Sequence, residues 1–358
     1  MNAMRRWPYT FGVSLSIVVG VTAIIAAQRL DVPLRDPDGF LGPAYVRLPL
    51  IGLMFFAAGI IPMAVRRGWR DGIPGIVGEF RGILKADWSL KRVGYIATGL
   101  LTFYVCYVSY RNLKSDLPLI RKGVLFDTDM LRLDHYLFFG HNPAEVLHSF
   151  LGTSVAAQVL ATAYVSYLPL IPLTLGAFLV WGKDLSLGAW YATALSLNWI
   201  LGVVSYYSMP TLGPAFAQSS MFQDLPVTGV TELQRSLFRA GSSFKEDPTG
   251  SASYGIAGFA SLHVSVVVTA CIFFERTGQK LVIRVLAWAF LVMTVLATIY
   301  FGWHYLADDI AGAFIGWLSV SIAAWATGNR GRRRRSPERE REIAARAEYA
   351  EPTPEPAS

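Results

Sequence analysis

The chain reads as an all-α polytopic membrane protein with eight transmembrane helices, and three observations predict that class. Its 358 residues are 53% hydrophobic and only 16% charged, outside the ordinary composition of soluble domains. Uncharged apolar windows recur at close to the ~20 residues that a helix needs to cross the hydrocarbon core. Lys and Arg stand in short clusters at the ends of those windows, as orientation signals do. The net charge of +7 therefore points to membrane topology and away from nucleic acid.

The first window, roughly 10–28, follows Met1-Asn2-Ala3-Met4-Arg5-Arg6. It is long for a signal peptide, lacks a small-residue cleavage pattern and precedes further spans, so we read it as an anchor. The second, roughly 48–65, leads into a basic loop holding Arg66, Arg67, Arg70, Arg81, Lys85, Lys91 and Arg92. The third, roughly 93–110, is followed by a loop in which Asp116, Asp127, Asp129 and Asp134 offset Arg111, Lys114, Arg121 and Lys122. Asp127 to His148 forms an element at the membrane surface: Asn142 caps a helix with Pro143 at its first position, and Tyr136, Phe138 and Phe139 suit the interface. Its histidines, His135, His141 and His148, read as interfacial or supporting residues.

The fourth window, roughly 153–181, is long for one straight span, and its Pro169 and Pro172 are potential kinks. The fifth, roughly 186–208, ends at Tyr206 and Tyr207, which either belong to an aromatic belt or line a pocket. Met209 to Ala257 is a long segment that does not cross. The remaining spans lie at roughly 258–274, 284–303 and 308–327, with Arg276, Lys280 and Arg284 between the first two. From Gly331 onward the chain is polar, charged and proline-tailed, which predicts a disordered tail whose Arg332 to Arg335 meet anionic lipid heads. Cys106 and Cys271 lie inside apolar runs with no motif spacing and read as packing residues. The chain thus divides into an accessory region with two spans (1–92), a six-helix core (93–328) and a tail (329–358).

With eight spans, Arg5 and Arg6, the second loop, the sixth loop and the tail all fall on one side, the cytoplasmic one. Both termini are then cytoplasmic, and the protein is multi-pass in the cell membrane. His263, at the start of the sixth span, and His304, at the end of the seventh, both fall on the outer side with Asp308. Only five histidines occur in the chain, and ionisable groups at such places usually mark function.

His304 and Asp308 are four residues apart and share a helix face. Asp308 either holds one ring nitrogen of His304, leaving the other as a nucleophile, or caps a helix whose neighbouring histidine sits at the interface. Ser261-Leu262-His263 follows a glycine-containing turn at a helix start and offers hydroxyl and backbone N–H donors to a phosphate. His263, His304 and Asp308 also match a zinc set, but we expect neither a metal nor another cofactor.

These segments resemble the type 2 phosphatidic acid phosphatase superfamily, in which Ser-Gly-His and a downstream Arg-containing segment ending in His-x-x-x-Asp form a phosphoryl-transfer site. The form here, Ser261-Leu262-His263 with Gly302-Trp303-His304-Tyr305 and Asp308-Asp309, is similar to the branch of the aureobasidin-sensitive inositol phosphorylceramide synthases. Asp134 to Pro143 is similar to that branch's Asp-x-x-Leu-Phe-Gly-x-x-Pro element. Tyr207 to Phe216 resembles its proline-rich replacement for the superfamily's first motif. The resemblance covers about residues 120–327.

It implies that His304 attacks phosphorus to form a phosphohistidine, Asp308 orients His304, and His263 protonates the leaving alkoxide and then activates the acceptor. Ser261 and Leu262 would bind phosphate. The substrate would be a phospholipid or a polyprenyl or other lipid phosphate at the outer face. Water as acceptor makes the protein a lipid phosphatase; inositol or another alcohol makes it a transferase. Two departures stand out. The superfamily's phosphate-binding arginine falls on Thr298, and no Lys-x6-Arg-Pro segment precedes Ser261. Lys245 is the first replacement cation expected, then Arg239 and Arg235, with Arg121 and Lys122 further away. The loss of the arginine also fits a non-catalytic lipid-binding or transport protein of the same fold, although the internal repeats of transporters are absent.

Overall fold

Backbone polar groups in lipid have no water to bond, so a spanning segment must satisfy them internally. All regular structure among the described residues is accordingly helical. The computed structural model describes residues 7–36 and 43–331; the expectations placed on Arg5, Arg6 and the tail from Arg332 onward lie outside the described residues. In chain order the helices are α1 (Thr10–Leu30), α2 (Ala44–Gly68), α3 (Gly72–Asp87), α4 (Leu90–Ile120), α5 (Asp127–Leu137), α6 (Pro143–Leu151), α7 (Val155–Gly176), α8 (Leu185–Ser208), α9 (Pro214–Ala217), α10 (Gly229–Glu246), α11 (Leu262–Arg276), α12 (Leu281–Tyr300) and α13 (Leu306–Ala326). Among the described residues, seven segments are long and apolar enough to cross a membrane: α1, α2 running on into α3, α4, α7 extended to Trp181, α8, α12 and α13. The protein is therefore a multi-pass membrane protein. Pro169 and Pro172 lie inside α7, whose helical path continues past both into a π-helical turn at Ala177–Trp181.

The sixth expected span is α11, which has 15 residues and begins at Leu262 rather than Gly258. At ~1.5 Å per residue it is shorter than the hydrocarbon core. Its length is tolerated because α8, α12 and α13 enclose it and bury most of its side chains, so protein rather than lipid surrounds it. One end of the bundle is tied together by bonds from Arg35 after α1 and Tyr207 of α8 to the C-terminal part of α4, from Tyr300 of α12 to Gly152 before α7, and from Ser261 before α11 to Asp308 of α13.

Two expected loops are helical instead. The basic stretch after α2 forms α3, which folds back so that Phe80, Ile83 and Leu84 pack with Ile60, Ala64 and Trp88. Gly68 and Gly75 lack the side chains that would keep these backbones apart. The third span does not end near residue 110 either. α4 continues to Ile120 and carries Arg111, Lys114 and Asp116 with it, the last two buried. Tertiary bonds hold this extension. The Asn112 amide exchanges hydrogen bonds with the Arg35 backbone, both 2.8 Å, Tyr207 donates to the Leu113 carbonyl at 2.7 Å, and Ser115 donates to the Tyr254 carbonyl at 3.2 Å.

The first two spans share the main apolar core with α4, α7 and α8, through Val19, Ala23, Leu48 and Phe55. Arg35 donates to the carbonyls of Pro248 and Gly250, while Asp36 accepts from the first N–H groups of α2 and from Tyr104. The expected cap forms: Asn142 accepts from Ala144 N–H at 2.9 Å with Pro143 at the first helical position. Cys106 and Cys271 are buried and unpaired.

Candidate active site

The site is assembled at the end of the bundle where α4, α8 and α12 finish and α7, α11 and α13 begin. Residues 258–261 are not helical, so their N–H groups need outside partners. They find them on three elements. Gly258 donates to the Thr211 carbonyl at 2.9 Å, Phe259 to Thr211 Oγ1 at 2.8 Å, Ala260 to Ser205 Oγ at 2.9 Å, and Ser261 to the Asp308 carbonyl at 2.9 Å. Thr211 belongs to the proline-rich segment after α8, which explains why that segment accompanies the histidines.

Ser261 is fully buried and caps α11, its hydroxyl accepting from Val264 N–H at 3.5 Å. Leu262, at the superfamily's glycine position, fits because it packs on Gly202 of α8, where a Cβ would lie 2.7 Å from its methyl groups. α11 and α13 cross closely because Gly312 and Gly316 face the carbonyls of Ser261 and Ser265, the small-residue contact typical of membrane helices. His263 lies in the first turn of α11, its ring 4.5 Å from Tyr164 and 4.4 Å from Tyr167. The His304 ring stands 6.0 Å away.

His304 is placed by a tight turn after α12. Gly302 adopts φ 64°, and the Thr298 carbonyl accepts from Trp303 N–H at 2.8 Å and from His304 N–H at 3.4 Å. Of the two readings of the His304–Asp308 pair, the capping contact is formed and the ring contact is only approached. Asp308 Oδ2 caps α13 by accepting Tyr305 N–H at 2.9 Å, and it also lies 3.4 Å from His304 Nδ1. The His304 contact lacks hydrogen-bond geometry, so His304 Nδ1 and Asp308 Oδ1 are buried without a bond, as are Trp303 Nε1 and Asp309 Oδ1. Such a cluster of unmatched polar atoms is rare in a folded interior. The zinc alternative needs converging donors, and no group of three His, Cys, Asp or Glu residues suited to a metal occurs among the described residues.

Three further carboxylates had no chemical role in the sequence reading. Asp127 accepts from the N–H groups of Leu212 and Gly213, each at 3.0 Å, and from Tyr305 OH at 3.1 Å. Asp134, seven residues on and on the same face of α5, accepts from Leu306 N–H at 3.1 Å. α5 is thus a strap that ties the proline-rich loop to the start of α13. Burial pushes the Asp134 carboxyl up to about 6, opposed by the Leu306 and Ala307 N–H groups and reinforced by the Asp308 charge. Burial likewise raises Asp127, against its bonds to Leu212 and Gly213. Asp309 accepts from Thr298 Oγ1 at 2.8 Å, so the residue at the superfamily's arginine position serves a neighbouring aspartate.

Ser261, Leu262, His263, His304 and Asp308 are brought together. Lys245 is exposed at the end of α10, its ammonium 5.6 Å from the Tyr254 ring centre, and it takes no part in the contacts joining the histidines. Arg235, Arg239 and Lys122 are also exposed. His148 supports the turn from outside, Nε2 lying 2.8 Å from the Tyr300 carbonyl.

A profile of the PAP2 superfamily matches residues 128–322. No curated protein and no solved structure matches the chain.

Proposed function

The chain belongs to the PAP2 superfamily, and we propose that it is a membrane lipid phosphatase or phosphotransferase with a histidine nucleophile. The observation that carries this reading is His304, with Nδ1 3.4 Å from the Asp308 carboxylate and its ring facing His263 across 6.0 Å. A small rotation of the His304 ring would let Asp308 accept a hydrogen bond from Nδ1, which leaves the Nε2 lone pair free to attack phosphorus. The P–O ester bond breaks as the P–N bond forms, and protonated His263 gives its proton to the leaving alkoxide. His263 then takes a proton from the acceptor, whose oxygen attacks phosphorus and releases His304. Ser261 and the first turn of α11, with Leu262, face the phosphate.

The basic clusters after α2 and α11 stand at the opposite end of the bundle, which by the positive-inside bias supports a site at the outer membrane face. A lipid phosphate enters there from the bilayer and the acceptor from water. The branch resemblance of Ser261-Leu262-His263 and of the Asp134 element favours transfer, with inositol as one candidate alcohol.

The test is phosphate release and headgroup transfer by detergent-purified protein across a panel of lipid phosphates and phosphoinositides, with His304→Ala and His263→Ala beside it. We expect activity insensitive to chelators and lost in both variants, the product separating hydrolysis from transfer. No turnover on any substrate, with lipid binding equal in wild type and variants, would replace this reading with that of a binding protein.

A further inference from the structure

A phosphate ester brings negative charge into a site already surrounded by Asp127, Asp134, Asp308 and Asp309, all buried. Such an anion needs a cation, and Thr298 supplies none. We propose that Lys114 of α4 is the cation that receives the phosphate oxygens. This rests on the reading of the histidine site as a phosphoryl-transfer centre.

Lys114 is only 8% exposed, and no hydrogen bond or ion pair to it occurs among the described residues. Its ammonium lies instead 5.0 Å from the Tyr206 ring centre and 6.0 Å from that of Tyr110. Asp116, two residues on, has Arg35 in its electrostatic surroundings. A lysine roughly 9 Å from a helix end at 1.5 Å per residue ordinarily extends its ammonium to the headgroup level. Lys114 is held inside, and burying an ammonium is expensive without an anionic partner.

The neighbours of Lys114 lead to the site. Its charge reaches His263, and Tyr206, beneath its ammonium, lies within electrostatic range of Asp308. The tyrosine faces hold the cation by cation–π attraction without neutralising it. A flexible stem with three donors can then turn from the rings to a phosphate oxygen. The anion's cation thus comes from a helix that precedes the family-matched segment.

The experiment measures orthovanadate and inorganic phosphate binding to the purified full chain by calorimetry, together with melting temperature and turnover. Lys114→Met keeps the length and removes the charge. Its affinity for orthovanadate should fall about 10- to 100-fold, the range expected for a lost charge-assisted hydrogen bond, with a melting temperature no lower than wild type. Lys114→Arg should recover at least part of that loss. If Lys114→Met fails to insert, Lys114→Gln is judged by the same criterion. Affinity within about threefold of wild type, a larger loss in Lys245→Met, or no anion binding by the wild type overturns the proposal. Wild-type protein that binds orthovanadate through Lys114 but turns over no lipid phosphate sinks the catalytic reading and leaves the cation assignment standing. Turnover with kcat/KM unchanged in Lys114→Met does the reverse.

Discussion

Gly312→Ala puts a methyl group into the α11–α13 crossing and tests whether that crossing sets the spacing of the histidines. A Cβ at Gly312 would collide with the Ser261 carbonyl oxygen and lie 3.1 Å from the Ser261 carbonyl carbon and 3.2 Å from Ser261 Cβ. These atoms are backbone or fixed to it, so no rotamer change relieves them; the helices must separate, by about 1 Å to restore ordinary carbon contacts. Overpacking of this kind costs roughly 1–3 kcal/mol, against about 1 kcal/mol gained from alanine's helix propensity. The net loss of stability is therefore at most about 2 kcal/mol. Activity should fall further. Ser261 is bonded to the Asp308 carbonyl at 2.9 Å and His263 follows it, so the separation moves one histidine from the other, and a misplacement of about 1 Å can cost ~100-fold in rate. Melting temperature and phosphate release are measured beside Gly78→Ala, which meets nothing within 4 Å and should be neutral or up to about 1 kcal/mol stabilising. Wild-type turnover and melting in Gly312→Ala would refute the reasoning.

Further outcomes follow from the same contacts. Asp134 has a folded value of about 6 against an ordinary 3.8, so its contribution favours the fold below pH ~4 and is lost as pH rises through about 6. Asp134→Asn should flatten the melting temperature between those limits, and an unchanged slope would exclude Asp134 as its source. Asp127→Ala strands the N–H groups of Leu212 and Gly213; we expect a loss of roughly 2–4 kcal/mol and faster amide exchange in the proline-rich loop. Gly202→Ala should destabilise by about 1–3 kcal/mol through its clash with Leu262, and Leu262→Ala by about 2–5 kcal/mol. Because the two changes relieve each other, the double variant should be better than additive by at least ~1 kcal/mol; strict additivity would mean that Leu262 does not rest on Gly202.

The closeness of His304 and Asp308 was legible because it is local. His304 and Asp308 are four residues apart across the start of α13, and Asn142-Pro143 announces its own cap, so spacing and capping rules reach them directly. The burial of Lys114 escaped the window search for the opposite reason. A window search ends a span at its first charges, and Arg111, Lys114 and Asp116 look like a loop when their partners are unknown. α4 continues through them because Arg35, Tyr207 and Tyr254 supply bonds from distant parts of the chain. Asp127 and Asp134 were read as charges offsetting a loop, since nothing nearby in sequence says that they accept from residues 212, 213, 305 and 306.

Apolar windows and charge bias alone therefore determined that the chain is helical, that it crosses the membrane several times and that His263 and His304 share one end, because the hydrocarbon core imposes a length and a polarity that any sequence must display. Tertiary structure decided the length of α11, the folding back of α3, the strap of carboxylates and the burial of Lys114. Each of these depends on which surfaces meet, through glycines at 202 and 312 and hydrogen bonds spanning many residues, and a pattern read within one helix does not contain the identity of its neighbours.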